Sequence, residues 1–162
     1  MALQGNTGFV ARRADVVDVT LSLDTSAYAD NDVLAAPQEV TGFFRRPGGI
    51  VTLQSLILLD KDAQAQDIDL LFMNATGSIG NENAAFAPTD AVADTIIGRI
   101  ELVIADYMAI SSTSHLICKR DLGLMMKAAA GATSLYIAAV CRSGTPTYTA
   151  AGITLKLGLV QD

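Results

Sequence analysis

The sequence predicts an all-β protein, a β-sandwich or jelly roll of about eight short antiparallel strands with a long irregular insertion and one short helical turn. Three observations predict it. The dominant hydrophobic period is two, the signature of strands with one buried and one wet face. Turns rich in Gly, Asp, Asn, Ser and Pro separate the apolar runs at short intervals. No helical segment of about 10–15 residues stands between strands to serve as the crossover of a parallel sheet.

The first strand is the clearest: Val17, Val19, Leu21 and Leu23 alternate with Asp18, Thr20, Ser22 and Asp24. A second runs from Ile50 to Leu59, where the alternation of Val51 and Leu53 slips at Gln54-Ser55 before Leu56-Ile57-Leu58-Leu59. A β-bulge, or a strand passing between sheets, accounts for such a slip. The polar stretch Asp60 to Asp67 then leads into Ile68, Leu70 and Phe72, and the two runs read as a hairpin. From Ala75 to Asp94 the chain turns to Gly, Asn, Ala, Pro and acids without alternation. Within it Pro88 to Asp94 reads as a helical turn capped by Thr89, with acids where the helix dipole favours them. Alternation returns at Ile100, Leu102 and Ile104. Short strands follow at Leu116 to Cys118, Leu122 to Met126 and Leu135 to Cys141, although Leu122 to Ala132 also admits a helix. The last strand, Ile153, Leu155, Leu157 and Leu159 against Thr154, Lys156 and Gly158, alternates as cleanly as the first.

A chain of 162 residues fits one domain, read here as residues 15–162 behind an N-terminal arm of residues 1–14. The arm has several polar and glycine residues and few core residues, the composition of a segment that orders against a partner. Apolar residues make up 51% of the chain and charged ones 17%, against about 25% charged in an average soluble domain. The surface is therefore lightly charged and partly apolar, which suits packing against neighbours. A formal charge of −6 without a basic cluster argues against nucleic acid. No apolar stretch reaches the roughly 20 residues of a membrane-crossing helix, and the start lacks the pattern of a signal peptide. Cys118 and Cys141 are read as reduced, buried small hydrophobes of a protein made in a cytoplasm.

Chemistry finds little support. His115 is the only histidine, and its neighbour Ser114 points to the opposite face of a strand, so the pair makes no nucleophile and base. The acids Asp60, Asp62, Asp67 and Asp69, and Asp24, Asp30 and Asp32, lack the spacing and closing Glu of an EF-hand and read as solvated turn acids. Gly77-Ser78-Ile79-Gly80 lacks the Lys-Ser/Thr ending of a phosphate loop. No catalytic residue, metal ligand or cofactor is assigned. Two basic pairs remain, Arg12-Arg13 after Phe9-Val10 and Arg45-Arg46 after Phe43-Phe44. Grouped arginines beside apolar residues serve as interface anchors or as solvated loop residues with packed stems. Phe9, Arg12, Arg13, Phe43, Phe44, Arg45 and Arg46 are accordingly the candidate contact residues.

Several segments carry a resemblance: Leu21 to Leu34, Leu53-Gln54-Ser55-Leu56, Leu58 to Asp62, Asn81-Glu82-Asn83-Ala84, and Gly144 to Leu155. Together they resemble small structural proteins of tailed bacteriophages, and within that group the capsid decoration or cement proteins. The resemblance implies a sandwich protomer, usually a homotrimer, on the outside of the virion head, clamping neighbouring major capsid proteins. It carries no residue-level contact. Other readings of the same composition are a tail or head-completion component of the phage, and a carbohydrate-binding sandwich. The latter expects an aromatic platform, yet the chain has no Trp and 6% aromatics.

Overall fold

The computed structural model describes residues 13–161. Ten strands form two antiparallel sheets: β1 (Arg13–Thr20), β2 (Val33–Val40), β3 (Ile50–Asp60), β4 (Ile68–Met73), β5 (Ile96–Leu102), β6 (Met108–Ser111), β7 (Ser114–Lys119), β8 (Leu124–Lys127), β9 (Leu135–Cys141) and β10 (Ile153–Gln161). A six-stranded sheet runs β1-β10-β3-β7-β6, with β8 also paired to β3, and a four-stranded sheet runs β2-β9-β4-β5. The chain is a β-sandwich, as the period-two pattern requires.

The core lies between the sheets. Leu21, Leu34, Leu53, Leu56, Leu58, Leu70, Phe72, Ile137, Leu155 and Leu157 are all fully buried there. At the open side Gln38 ties the sheets, accepting from Ser22 N at 2.9 Å and donating to Thr20 O at 3.3 Å.

The slip at Gln54-Ser55 is a bulge. Gly158 pairs with Ser55 and Leu159 with Leu53, which leaves Gln54 unpaired on β3. The opposite side of β3 changes neighbour at the same place, pairing β8 from Ile50 to Leu53 and β7 from Leu56 to Asp60. Gln54 O accepts Leu122 N at 3.0 Å across the gap. The stretch from Leu122 is extended and enters β8 rather than a helix.

Several expectations need correction. β3 and β4 do not form a hairpin: β3 sits in the larger sheet and β4 in the smaller, between β9 and β5. The loop after Asp60 therefore passes from one sheet to the other, held by Asp60, whose carboxylate accepts Asp62 N and Ala65 N at 2.9 and 2.8 Å. Two strands were not expected. β2 contains Pro37 and slips register with β9 twice, which erases its alternation, and β6 is a four-residue edge strand exposed throughout. Ile104 belongs to a 3-10 turn, Ile104–Asp106, and is exposed. Arg13 and Ala14 are strand residues, not arm residues; residues 1–12 of the expected arm lie outside the described residues. Cys118 is exposed, because its position on β7 faces away from the core, whereas Cys141 is buried; neither is bridged.

The irregular stretch is a cover. Val33, Leu71, Met73, Ala138 and Val140, on the outer face of the four-stranded sheet, pack with Ile79 into a second buried cluster, flanked by Phe86 and Val92. The segment is strapped down by Val33 N to Ala84 O at 2.8 Å, Asn83 N to Val33 O at 2.9 Å and Phe86 N to Asn31 O at 2.8 Å. The helical turn is α1 (Asp90–Ala93). Thr89 caps it through its backbone carbonyl, which accepts Val92 N and Ala93 N at 3.0 and 2.9 Å; its side chain makes no capping bond.

Candidate protein-binding face

The two sheets differ in what lies over them. The outer face of the four-stranded sheet is covered by the chain's own segment, so all six residues of β4 are buried. The outer face of the six-stranded sheet has no such cover among the described residues. Residues paired across antiparallel strands share a face, and the register therefore writes out this surface row by row. One row is Ala14, Val160, Thr52 and Met125; the next holds Val16, Gly158 and Ser55. A third is Asp18, Lys156, Ile57 and Cys118, and a fourth is Thr20, Thr154, Leu59, Leu116 and Met108.

Most of these side chains are apolar or small. Val16 is 64% exposed, Met125 67% and Met108 58%, while Val160, Ile57, Leu59 and Leu116 are half-buried by their neighbours. The one ion pair in these four rows is internal to the face, Lys156 Nζ donating to Asp18 Oδ1 at 2.8 Å. At one end a shallow groove of about 430 Å³ opens between Val16, Gly158, Ser55 and Val160. Glycine shapes its floor: a Cβ on Gly158 would stand 2.3 Å from Ser55 Oγ. Large exposed apolar patches on soluble proteins mark interaction sites more often than chance. Interfaces are distinguished by few charges at the centre of the patch, and this face has that composition.

The candidate residues from sequence separate cleanly. Phe9 and Arg12 lie outside the described residues. Phe43 and Phe44 are core residues rather than surface contacts, buried edge-to-face at 5.4 Å. They are fixed by Phe44 N to Thr133 O at 2.9 Å and by Gln161 Nε2 to Phe43 O at 2.9 Å. Arg45 and Arg46 are exposed beside them, lifted out of the core by the turn in which Gly49 N meets Arg46 O. Arg13, opposite Gln161, lies at the same end of the sandwich and pairs loosely with Asp15 at 3.5 Å. The fold thus brings Arg13 and the Arg45-Arg46 turn to one end of the sandwich, through Gln161, which pairs with Arg13 and donates to Phe43 O.

The turn acids are occupied by the chain's own donors. Asp62 accepts Thr149 N and Thr149 Oγ1. Asp24 accepts Ser26 N, which with the Ser26 side chain holds its carboxyl below the usual range. Asp32 accepts Ala29 N. Among the described residues no group of three His, Cys, Asp or Glu is placed to hold a metal. His115 faces inward on β7 opposite Asp60 and packs edge-on to Tyr107, ring centres 6.3 Å apart. No helix among the described residues is long and apolar enough to cross a membrane.

The apolar outer face was the feature that sequence reasoning missed, although two signals pointed to it. Leu56-Ile57-Leu58-Leu59 and Val16-Val17 are apolar at consecutive positions, which a strand with one wet face does not need.

Fold and face together define a two-sheet antiparallel β-sandwich that covers the outer face of its smaller sheet itself and, among the described residues, leaves that of the larger one uncovered. The chain has a structural likeness to the K3 cleaved adhesin domain of Lys-gingipain from Porphyromonas gingivalis W83. The two are 14% identical over 91% of this chain and 74% of that one, with a TM-score of 0.34. A second likeness is to Desmodium yellow mottle tymovirus, at 12% identity over 93% of this chain and 81% of that one, with a TM-score of 0.30. Neither bears on what the chain does. No protein-family model and no curated protein matches it.

Proposed function

We propose that the chain is a structural virion protein, a capsid cement or decoration protein that lies on the outside of a phage head, made in the host cytoplasm and seated by the bare face of its six-stranded sheet. The observation that carries this reading is the asymmetry of cover among the described residues: one outer sheet face is sealed by residues 74–95, and over the other, largely apolar face no described segment lies. The resemblance of the segments from Leu21 to Leu155 to decoration proteins supplies the identity of the partner, the major capsid protein, and of the assembly, a homotrimer.

Dimensions fit a partner met many times over. Five strands about 4.8 Å apart and roughly six residues long present on the order of 500 Å². A stable one-to-one complex takes about 800 Å² from each partner. A single face therefore binds weakly, while three faces in one trimer on a repeating shell bind by avidity. The bound copies stabilise the assembled shell by mass action, since they bind the assembled state and not the dispersed subunits. Arg45, exposed at one end of the sandwich, adds a cationic fork that carboxylates of the shell can meet.

The test is cosedimentation of the purified chain with undecorated heads. Wild-type protein is expected to saturate the heads, and the double variant Met108→Lys and Met125→Lys, both at exposed positions, is expected to keep its melting temperature and lose binding. Heads that stay bare with wild-type protein, or a double variant that binds as tightly, would overturn the reading.

A further inference from the structure

Between β5 and β7 the chain passes from the smaller sheet to the larger, across one end of the sandwich. This crossing, residues 103–111, holds the 3-10 turn and β6, and few of its side chains are rooted in the core. Ile104, Met108 and Ile110 are 52%, 58% and 52% exposed, and all four residues of β6 face water. Among the described strands β6 pairs with β7 alone, through a ladder that slips between Ala109 and Ser111. Tyr107 is the residue of the crossing that packs against the core, its ring edge-on to His115. The site lies far from Arg13: His115 pairs with Asp60, which pairs with the first residue of β10, whereas Arg13 pairs with the last.

Beneath Tyr107 the polar groups are incompletely satisfied. Tyr107 Oη and His115 Nδ1 are both buried, and neither meets a hydrogen-bond partner among the described residues. A polar group that leaves water and gains no bond favours any form of the protein that wets it again. The ties that hold the crossing shut are themselves polar. Ile104 N donates to Asp67 Oδ1 at 2.6 Å, and Asp106 Oδ2 pairs with Lys119 Nζ on β7. We propose that residues 103–111 form a strap that swings off the end of the sandwich as one unit, hinged at Val103 and at the Ser112-Thr113 turn and latched by the Asp106–Lys119 pair. In the rare open form Tyr107 leaves its seat and water reaches Tyr107 Oη and His115 Nδ1, while the ladders of both sheets other than that of β6 stay made. Segments that open locally have few buried apolar contacts and exposed backbone bonds. The strap has both, and hydration of two named atoms sets how readily it opens.

Amide exchange of the full chain at neutral pH, followed residue by residue, tests the device. Ile104 and the β6 amides bonded to β7 are expected to share one protection factor. They are expected to exchange at least a hundredfold faster than Leu56 and Leu58 of β3 or Leu155 and Leu157 of β10. Arg99→Met is expected to quicken β3 and β10 several-fold and leave the strap unchanged, because the Arg99–Asp69 pair stays made when the strap is open. Tyr107→Phe removes an unpaired hydroxyl and is expected to slow the strap about tenfold, and Lys119→Met is expected to speed it about tenfold. Strap amides as protected as β3 and β10, a strap that quickens with Arg99→Met as much as the core does, or a strap rate unmoved by Tyr107→Phe or by Lys119→Met would each overturn the proposal.

Discussion

Arg142 donates through Nε to Asp69 Oδ2 at 2.7 Å, and Asp69 is completely buried. Arg99 meets the other oxygen at 2.7 Å. Arg142 also donates to Asn31 Oδ1 and lies over the Phe86 ring at 5.7 Å. One guanidinium thus joins β4, the entry to β2 and the covering segment. Replacing Arg142 by Met leaves a buried carboxylate with a single, half-exposed partner, and removing one member of a buried pair costs about 3–5 kcal/mol. Urea unfolding is expected to show a loss near the lower bound for Arg142→Met and a smaller one for Arg99→Met, whose side chain is 53% exposed. Equal losses would mean that the two arginines share the load.

Much of this framework was legible in the sequence, and the illegible parts have physical causes. β1, β9 and β10 were readable because their ladders run without a slip on at least one side and one or both faces are buried. The bulge in β3 was readable as a break of phase at Gln54. β2 was not, because two register slips and Pro37 remove the alternation by which a strand announces itself. The false hairpin arose because periodicity shows which residues are buried, not which sheet receives them. The outer face of the larger sheet was half written: the doubled apolar positions at Val16-Val17 and Leu56 to Leu59 mark strands with apolar residues on both faces. The acids showed their turns, but not that backbone donors already occupy Asp60 and Asp62.

Gly80 sits at φ +123° in the covering segment, and a Cβ there would stand 2.6 Å from Ala85 O and 3.0 Å from Val33 Cγ2. Gly80→Ala therefore strains the backbone and pushes the cover from the sheet, at a cost of about 1–3 kcal/mol. Hydrogen exchange is expected to quicken at Val33 and Phe86 before it quickens in β3 and β10. A uniform change across both sheets would show that the cover does not open separately.

Tyr28 and Tyr148 are buried and Tyr107 is half-buried. Tyr28 donates to Leu34 O at 3.0 Å, and burial pushes its pKa up to about 12; burial raises Tyr107 and Tyr148 further. A phenol raised above its unfolded value of 10.0 favours folding wherever it stays protonated. Its contribution is complete below about pH 10 and lost as pH rises toward and through the folded value. Absorbance at 295 nm is expected to show Tyr28, Tyr107 and Tyr148 ionising together, in one step with global unfolding. Gradual titration of three phenols in a protein that remains folded would contradict the burial.

Cys118 lies in the open on β7 and Cys141 inside the core, where burial holds its thiol above the ordinary value. A maleimide is expected to modify one thiol per native chain, at Cys118. On decorated heads that reaction is expected to slow at least tenfold if the third row of the face is covered. Unchanged labelling on saturated heads would put the contact elsewhere.

The sealing of the smaller sheet by residues 74–95 has a consequence for how such a molecule accumulates. A particle that is adhesive on a single side can be laid down once. After the first layer has formed, what it presents to the medium is the chain's own closed segment with its acids and small polar residues, on which the next arrival finds no apolar foothold. On the proposed function, deposition is self-terminating, and the thickness of the coat is set within one polypeptide.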